Sequence, residues 1–148
     1  DLVDEFGVLG QVTRVHPLVS EVTLVIDREQ AIPVLNARTG ARSLAYGEPS
    51  GQGGALELRY MPGNSDVEVG DLLTTSGVDG VYPPGLPVAK VVKVERRADS
   101  GFARIECAPQ AMVQGARHVM VITPLAAELP QRPPAEDAAA KVKKGQRK

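Results

Sequence analysis

Residues 70–85 read GDLLTTSGVDGVYPPG, and the style of the whole chain is set by this stretch. Gly70-Asp71 makes a tight turn that feeds a short strand, Asp71 to Thr75, with the Asp71 carboxylate capping the turn. Thr74, Thr75 and Ser76 put hydroxyls where the strand gives way to a loop, and there Thr75 and Ser76 satisfy loop amides. Gly77 and Gly80 permit positive φ, while Pro83, Pro84 and Gly85 stiffen the return. On this reading Gly70, Asp71, Thr75, Ser76, Gly77, Pro83 and Gly85 are architectural residues.

Outward from this loop the same alternation of strand and turn continues. Ala55 to Met61 alternates with Leu56, Leu58 and Tyr60 inward and Glu57 and Arg59 outward. Upstream, Phe6–His16, Glu21–Asp27, Ala31–Arg38 and Arg42–Gly47 read as strands. Gly7 and Gly10 are set for a bend or close packing, and Pro33 predicts an edge strand or a bulge. Downstream, Val88–Arg96 and Phe102–Ala108 form a hairpin around Asp99-Ser100-Gly101, and Arg117–Thr123 is the last strand. Twenty valines, 15 Gly and 12 Pro fit short strands joined by tight loops. The expected fold is all-β: about nine short strands in two small barrels or sandwiches, followed by a flexible C-terminal tail.

Charge divides the chain. Residues 1–125 carry 11 basic and 15 acidic side chains, and residues 126–148 carry six basic and three acidic. The tail AAELPQRPPAEDAAAKVKKGQRK lacks the large apolar groups that offset ordering entropy, so it reads as disordered. We place the β-domain at 1–125 and the tail at 126–148. A net charge of −1, two Phe, three Tyr and no Trp argue against nucleic-acid binding. One cysteine excludes an internal disulfide and a Cys-based zinc site. No apolar run approaches the roughly 18–20 residues that cross a bilayer.

Catalytic chemistry has little support. Ser76 with His16 or His118 and Asp79 or Asp71 would supply the groups of a serine hydrolase, but the sequence establishes no spatial relation among them. Ser76 also lacks the GDSGG context of trypsin-like proteases. No His, Asp or Glu spacing suits a metal, no cofactor motif is present, and the SGQGG glycines precede a strand rather than a helix. Cys107 reads as a small buried hydrophobe. Partner contact is expected at aromatic and charged groups on loops: first Tyr82, which would otherwise plug a barrel end, then Tyr46. Arg96-Arg97 is either a solvated hairpin tip or a contact for an acidic partner.

The 70–85 segment resembles the GD-x-x-x-TSG…(F/Y)P-x-G signature of the MreC family of rod-shape-determining proteins. Further blocks follow in that family's order: Gly7-Val8-Leu9-Gly10-Gln11-Val12, Ser20-Glu21-Val22, Ala31-Ile32-Pro33-Val34, Arg38-Thr39-Gly40, Leu56–Tyr60, Pro87–Val91 and Val119–Ile122. The resemblance covers roughly residues 2–123. It implies the β-rich part of a bitopic protein outside the inner membrane, with an N-terminal membrane helix, a coiled coil and the first β-strands absent from this chain. A barrel left incomplete in that way would carry an unpaired edge. It further implies a non-catalytic scaffold that binds a class B penicillin-binding protein, self-associates, and works with MreD, RodZ and MreB through the full-length protein. The alternatives are a serine hydrolase using Ser76 and a glycan-binding β-barrel.

Overall fold

The computed structural model describes residues 1–49 and 53–123. Among them are ten strands and no helix: β1 (Leu2–Val3), β2 (Val8–Val15), β3 (Ser20–Leu24), β4 (Ala31–Asn36), β5 (Arg42–Glu48), β6 (Ala55–Pro62), β7 (Leu72–Thr75), β8 (Pro87–Arg96), β9 (Phe102–Pro109) and β10 (Met120–Val121). Accordingly, no helix among the described residues is long and apolar enough to cross a membrane. The tail at 126–148 and residues 50–52 of the SGQGG loop lie outside the described residues.

The strands divide into a closed antiparallel barrel, ordered β4-β5-β6-β9-β8-β7, and an open sheet, β10-β1-β2-β3. The all-β class and the split into two small β units follow the sequence reading. Period-2 alternation builds the barrel interior. Ile32 and Val34 of β4, Leu56 and Leu58 of β6, Leu73 of β7 and Ile105 and Cys107 of β9 point inward and are fully buried. Val3 and Val8 from the open sheet and Val25 from the turn after β3 join the same core, and a smaller cluster of Leu2, Leu9 and Ala111 lies beyond it. Burial pushes the Cys107 thiol up to about 12, in keeping with its reading as a small hydrophobe.

Two expectations change. Pro33 lies on a barrel strand, not a sheet edge: it pairs with Leu44 of β5, while the β4–β7 ladder begins only at Val34. The Pro33 carbonyl accepts from Ser76 N at 3.1 Å on the β7 side, where its missing N–H falls at the end of the ladder and leaves no gap. Tyr60 does not enter the core. The β6–β9 register passes from Leu58↔Ile105 to Met61↔Ala103, so Arg59 and Tyr60 together oppose Arg104. This bulge gives the inward place to Met61 and turns Tyr60 out, 76% exposed, at φ +61°. Two smaller differences lie at the chain start and in the last strand. The sequence reading places no strand at β1, and β10 pairs only at Met120 and Val121, leaving His118 exposed.

The barrel and the turn after β3 meet backbone to backbone. A Cβ at Gly47 would lie 2.0 Å from the Asp27 carbonyl oxygen. Only glycine admits that approach, because the obstacle is main chain and cannot rotate away. We expect Gly47→Ala to cost about 3 kcal/mol or more. Gly40→Ala, at φ +75° but in open space, should cost about 1 kcal/mol. Urea unfolding of the two variants checks this contrast, and equal midpoints would contradict it.

Candidate functional site

The residues of the 70–85 segment turn out to brace one another. Gly70, at φ +97°, lets Asp71 leave the turn with its carboxylate facing the barrel rim. Asp71 Oδ2 accepts from Asn36 Nδ2 at 2.7 Å, from Glu68 N at 3.0 Å and from Arg38 Nη2 at 3.0 Å, while Oδ1 accepts from Arg38 Nε at 2.7 Å. The expected turn cap is therefore present, but it is one arm of a larger knot. Arg38 spans it, pairing also with Asp66 at 2.9 Å. The Arg38 guanidinium holds the Asp71 carboxyl well below the usual carboxylate range, helped by the Asn36 amide and the Glu68 N–H and opposed by burial.

The end of β7 is tied to the following loop through Thr75. Its Oγ1 accepts from Leu86 N at 2.9 Å and donates to the Pro83 carbonyl, while Gly85 N donates to Thr75 O at 2.9 Å. Gly77, at φ +72°, turns the chain against Pro84. The loop's aromatic residue, Tyr82, is only 3% exposed. Of the two readings of Tyr82, the structure takes the plug: the ring lies in the main core and offers no surface to a partner. Its hydroxyl is buried without a hydrogen-bond partner among the described residues, and burial, with Asp79 second, raises its pKa.

The other candidates separate. Tyr46 is half-buried, with the Arg59 guanidinium 4.4 Å above its ring. Arg96 is not a free hairpin-tip cation. It donates to the carbonyls of Gly63 at 3.1 Å, Ser65 at 3.0 Å and Val67 at 3.1 Å, so it holds the loop that leads into Gly70. Arg97 is exposed and lines a surface groove with Tyr60 and Phe102. Sequence spacing gave no sign of Arg38, which meets Asp71 across 33 residues of chain.

The hydrolase groups are not brought together. Ser76 Oγ accepts from Val78 N at 3.4 Å within its own turn, and His16 pairs with Glu21 at 3.1 Å on the β2–β3 hairpin. His118 lines a separate groove near β10, and Asp71 is engaged by Arg38. Among the described residues no group of three or more His, Cys, Asp or Glu side chains could hold a metal ion.

What the fold and site define is a β-barrel whose signature loop is braced by hydrogen bonds to its own strands and turns. The family model described as "Rod shape-determining protein MreC, barrel core" matches residues 2–123, and the chain belongs to that family. The cell shape-determining protein MreC of Escherichia coli (strain K12) is 36% identical over 121 residues, 82% of this chain and 32% of that protein. The Haemophilus influenzae protein of the same name is 37% identical over 123 residues, 83% of this chain and 34% of that protein. The chain thus spans about a third of the length of these relatives. The crystal structure of MreC from Pseudomonas aeruginosa superposes with a TM-score of 0.74 at 36% identity, over 82% of this chain and 77% of that one. The MreC chain of a complex between penicillin-binding protein PBP2 and MreC from Helicobacter pylori shares the fold, with a TM-score of 0.61 at 19% identity over 80% of this chain and 73% of that one.

Two predictions follow from the bracing. The depressed Asp71 carboxyl contributes stability that is complete above the ordinary value near pH 4 and is lost as pH falls through its lower folded value. Asp71→Asn should therefore cost about 2 kcal/mol at pH 7 and flatten the loss of stability below about pH 4; urea midpoints at pH 7 and pH 3 measure both. Tyr82→Ala should cost about 3–5 kcal/mol, whereas Tyr82→Phe, which removes only an unpartnered hydroxyl, should leave the midpoint unchanged or raised.

Proposed function

We propose that this chain is the periplasmic, non-catalytic part of a scaffold for cell-wall elongation that binds a class B penicillin-binding protein and so supports rod shape. Membership of the MreC family carries this reading, and the solved complex of a similarly folded MreC with PBP2 supports its choice of partner. The scaffold acts by differential affinity: binding the partner's active conformation more tightly than its inactive one shifts that equilibrium. The outer edges of β3 and β10, without a strand partner among the described residues, are available for self-association, which raises the local concentration of partners. Anchoring by an N-terminal helix in the inner membrane, and the links to MreD, RodZ and MreB, belong to the full-length protein in this proposal. The hydrolase reading is disfavoured because the Ser76 hydroxyl caps its own turn.

The test is titration of the chain into the purified periplasmic region of the class B penicillin-binding protein from the same organism. Saturable binding at fixed stoichiometry is expected, with no covalent labelling of Ser76 by a serine-reactive probe. A folded chain that shows no binding would sink the proposal, and stoichiometric labelling lost in Ser76→Ala would replace it with a hydrolase.

A further inference from the structure

Tyr60 is the only non-glycine residue at positive φ among the described residues. The left-handed conformation is unfavourable for a bulky side chain, and glycine or asparagine would occupy it more easily. Burial does not offset that cost here, because the ring is 76% exposed. The bulge itself serves the core by turning Met61 inward, but nothing in the core requires an aromatic ring at the residue it turns out. Tyrosine is also among the residue types that concentrate binding energy at protein interfaces.

The ring stands between two grooves. On one side is a groove of ≈ 400 Å³, lined by Phe102, itself 60% exposed, with Glu57, Glu95, Arg97 and Arg104. On the other side a groove of ≈ 610 Å³ is lined chiefly by Pro33, Leu44, Met61, Pro62 and Val78, with Arg42 and Asp66. The acids of both grooves are already satisfied within the chain. Glu57 pairs with Arg59 and Arg104, Glu95 with Lys93 at 2.6 Å, and Asp66 with Arg38. Neither Arg42 nor Arg97 forms an ion pair among the described residues; Arg97 acts on Glu95 only through its field. A mainly apolar groove and a charged one thus meet at an aromatic crest, and each holds one cation without an ion-pair partner among the described residues.

We propose that the Tyr60 bulge is the anchor of a protein-docking surface for an apolar segment flanked by carboxylates, presented by the periplasmic region of the class B penicillin-binding protein. The proposal rests on the scaffold reading above and places its contact. Tyr60 packs against the apolar segment, and Arg42 and Arg97 engage carboxylates on either side of it. A glycan is a poorer occupant, since the larger groove offers mainly apolar walls.

The test uses the full chain and the same periplasmic region, comparing wild type with Tyr60→Gly, Tyr60→Phe, the double variant Arg42→Glu/Arg97→Glu, and Leu18→Ala as a distant control on the 96%-exposed hairpin tip. Because glycine suits the bulge, Tyr60→Gly should melt no lower than wild type and yet bind at least about tenfold more weakly. Tyr60→Phe should stay within about threefold of wild type, the double charge reversal should weaken binding and reduce its salt dependence, and Leu18→Ala should change nothing. Wild-type binding that survives Tyr60→Gly overturns this surface while the scaffold reading stands. Absence of wild-type binding overturns both. If Tyr60→Gly abolishes self-association and leaves partner binding intact, the occupant is a second copy and the proposed partner contact is wrong.

Discussion

Closure of the barrel depends on the pairing of β4 with β7, where Val34 meets Thr75, Leu35 meets Thr74 and Asn36 meets Leu73. This short ladder joins segments almost forty residues apart, and the polar side chains buried in the barrel gather along it: Asn36, Asp71 and Thr75. Each has its hydrogen-bonding capacity answered, as burial requires. Asn36 donates to Asp71, its Oδ1 accepts from Arg38 N at 2.9 Å, and Thr75 serves the 83–86 return. If the ladder opened, the knot at Asp71 and the lock at Thr75 would lose their geometry together, and the Tyr82 plug would lose its wall. The signature of the sequence is in this sense the seam of a barrel.

That seam explains which parts of the structure were legible in advance. The alternation in Leu56–Leu58 and the hairpin around Asp99-Ser100-Gly101 are local patterns, and the strands follow them. The Asp71 cap and the role of Thr75 were also local, since turn and loop amides lie close in sequence. Arg38 was not legible as the partner of Asp71, because no spacing rule links positions 33 residues apart. Tyr60 was misplaced for a related reason: period 2 holds only while the register holds, and the extra residue of a bulge is set by the facing strand β9. Arg96 looked like a free surface cation, but the carbonyls that occupy it belong to a loop some thirty residues upstream.

The same distribution agrees with the non-catalytic role proposed above. Ser76, His16 and His118 each sit in a separate local setting, and Cys107 is shielded inside the barrel. A rigid barrel with a braced loop suits a scaffold, because an interface loses less entropy on binding when its backbone is already fixed. Relatives in the MreC family share this barrel core, while the bulge displays its side chain outside the braced region. On the proposal above, architecture and recognition fall on different residues of one small domain.

The measurement that separates them most directly is amide hydrogen exchange of the chain, free and with the periplasmic region of the class B penicillin-binding protein. The account predicts new protection at residues 57–62 and 95–104, on the strands and hairpin around Tyr60, with the 76–86 loop exchanging at the same rate in both states. Protection confined to the 76–86 loop, with the Tyr60 face unchanged, would contradict it.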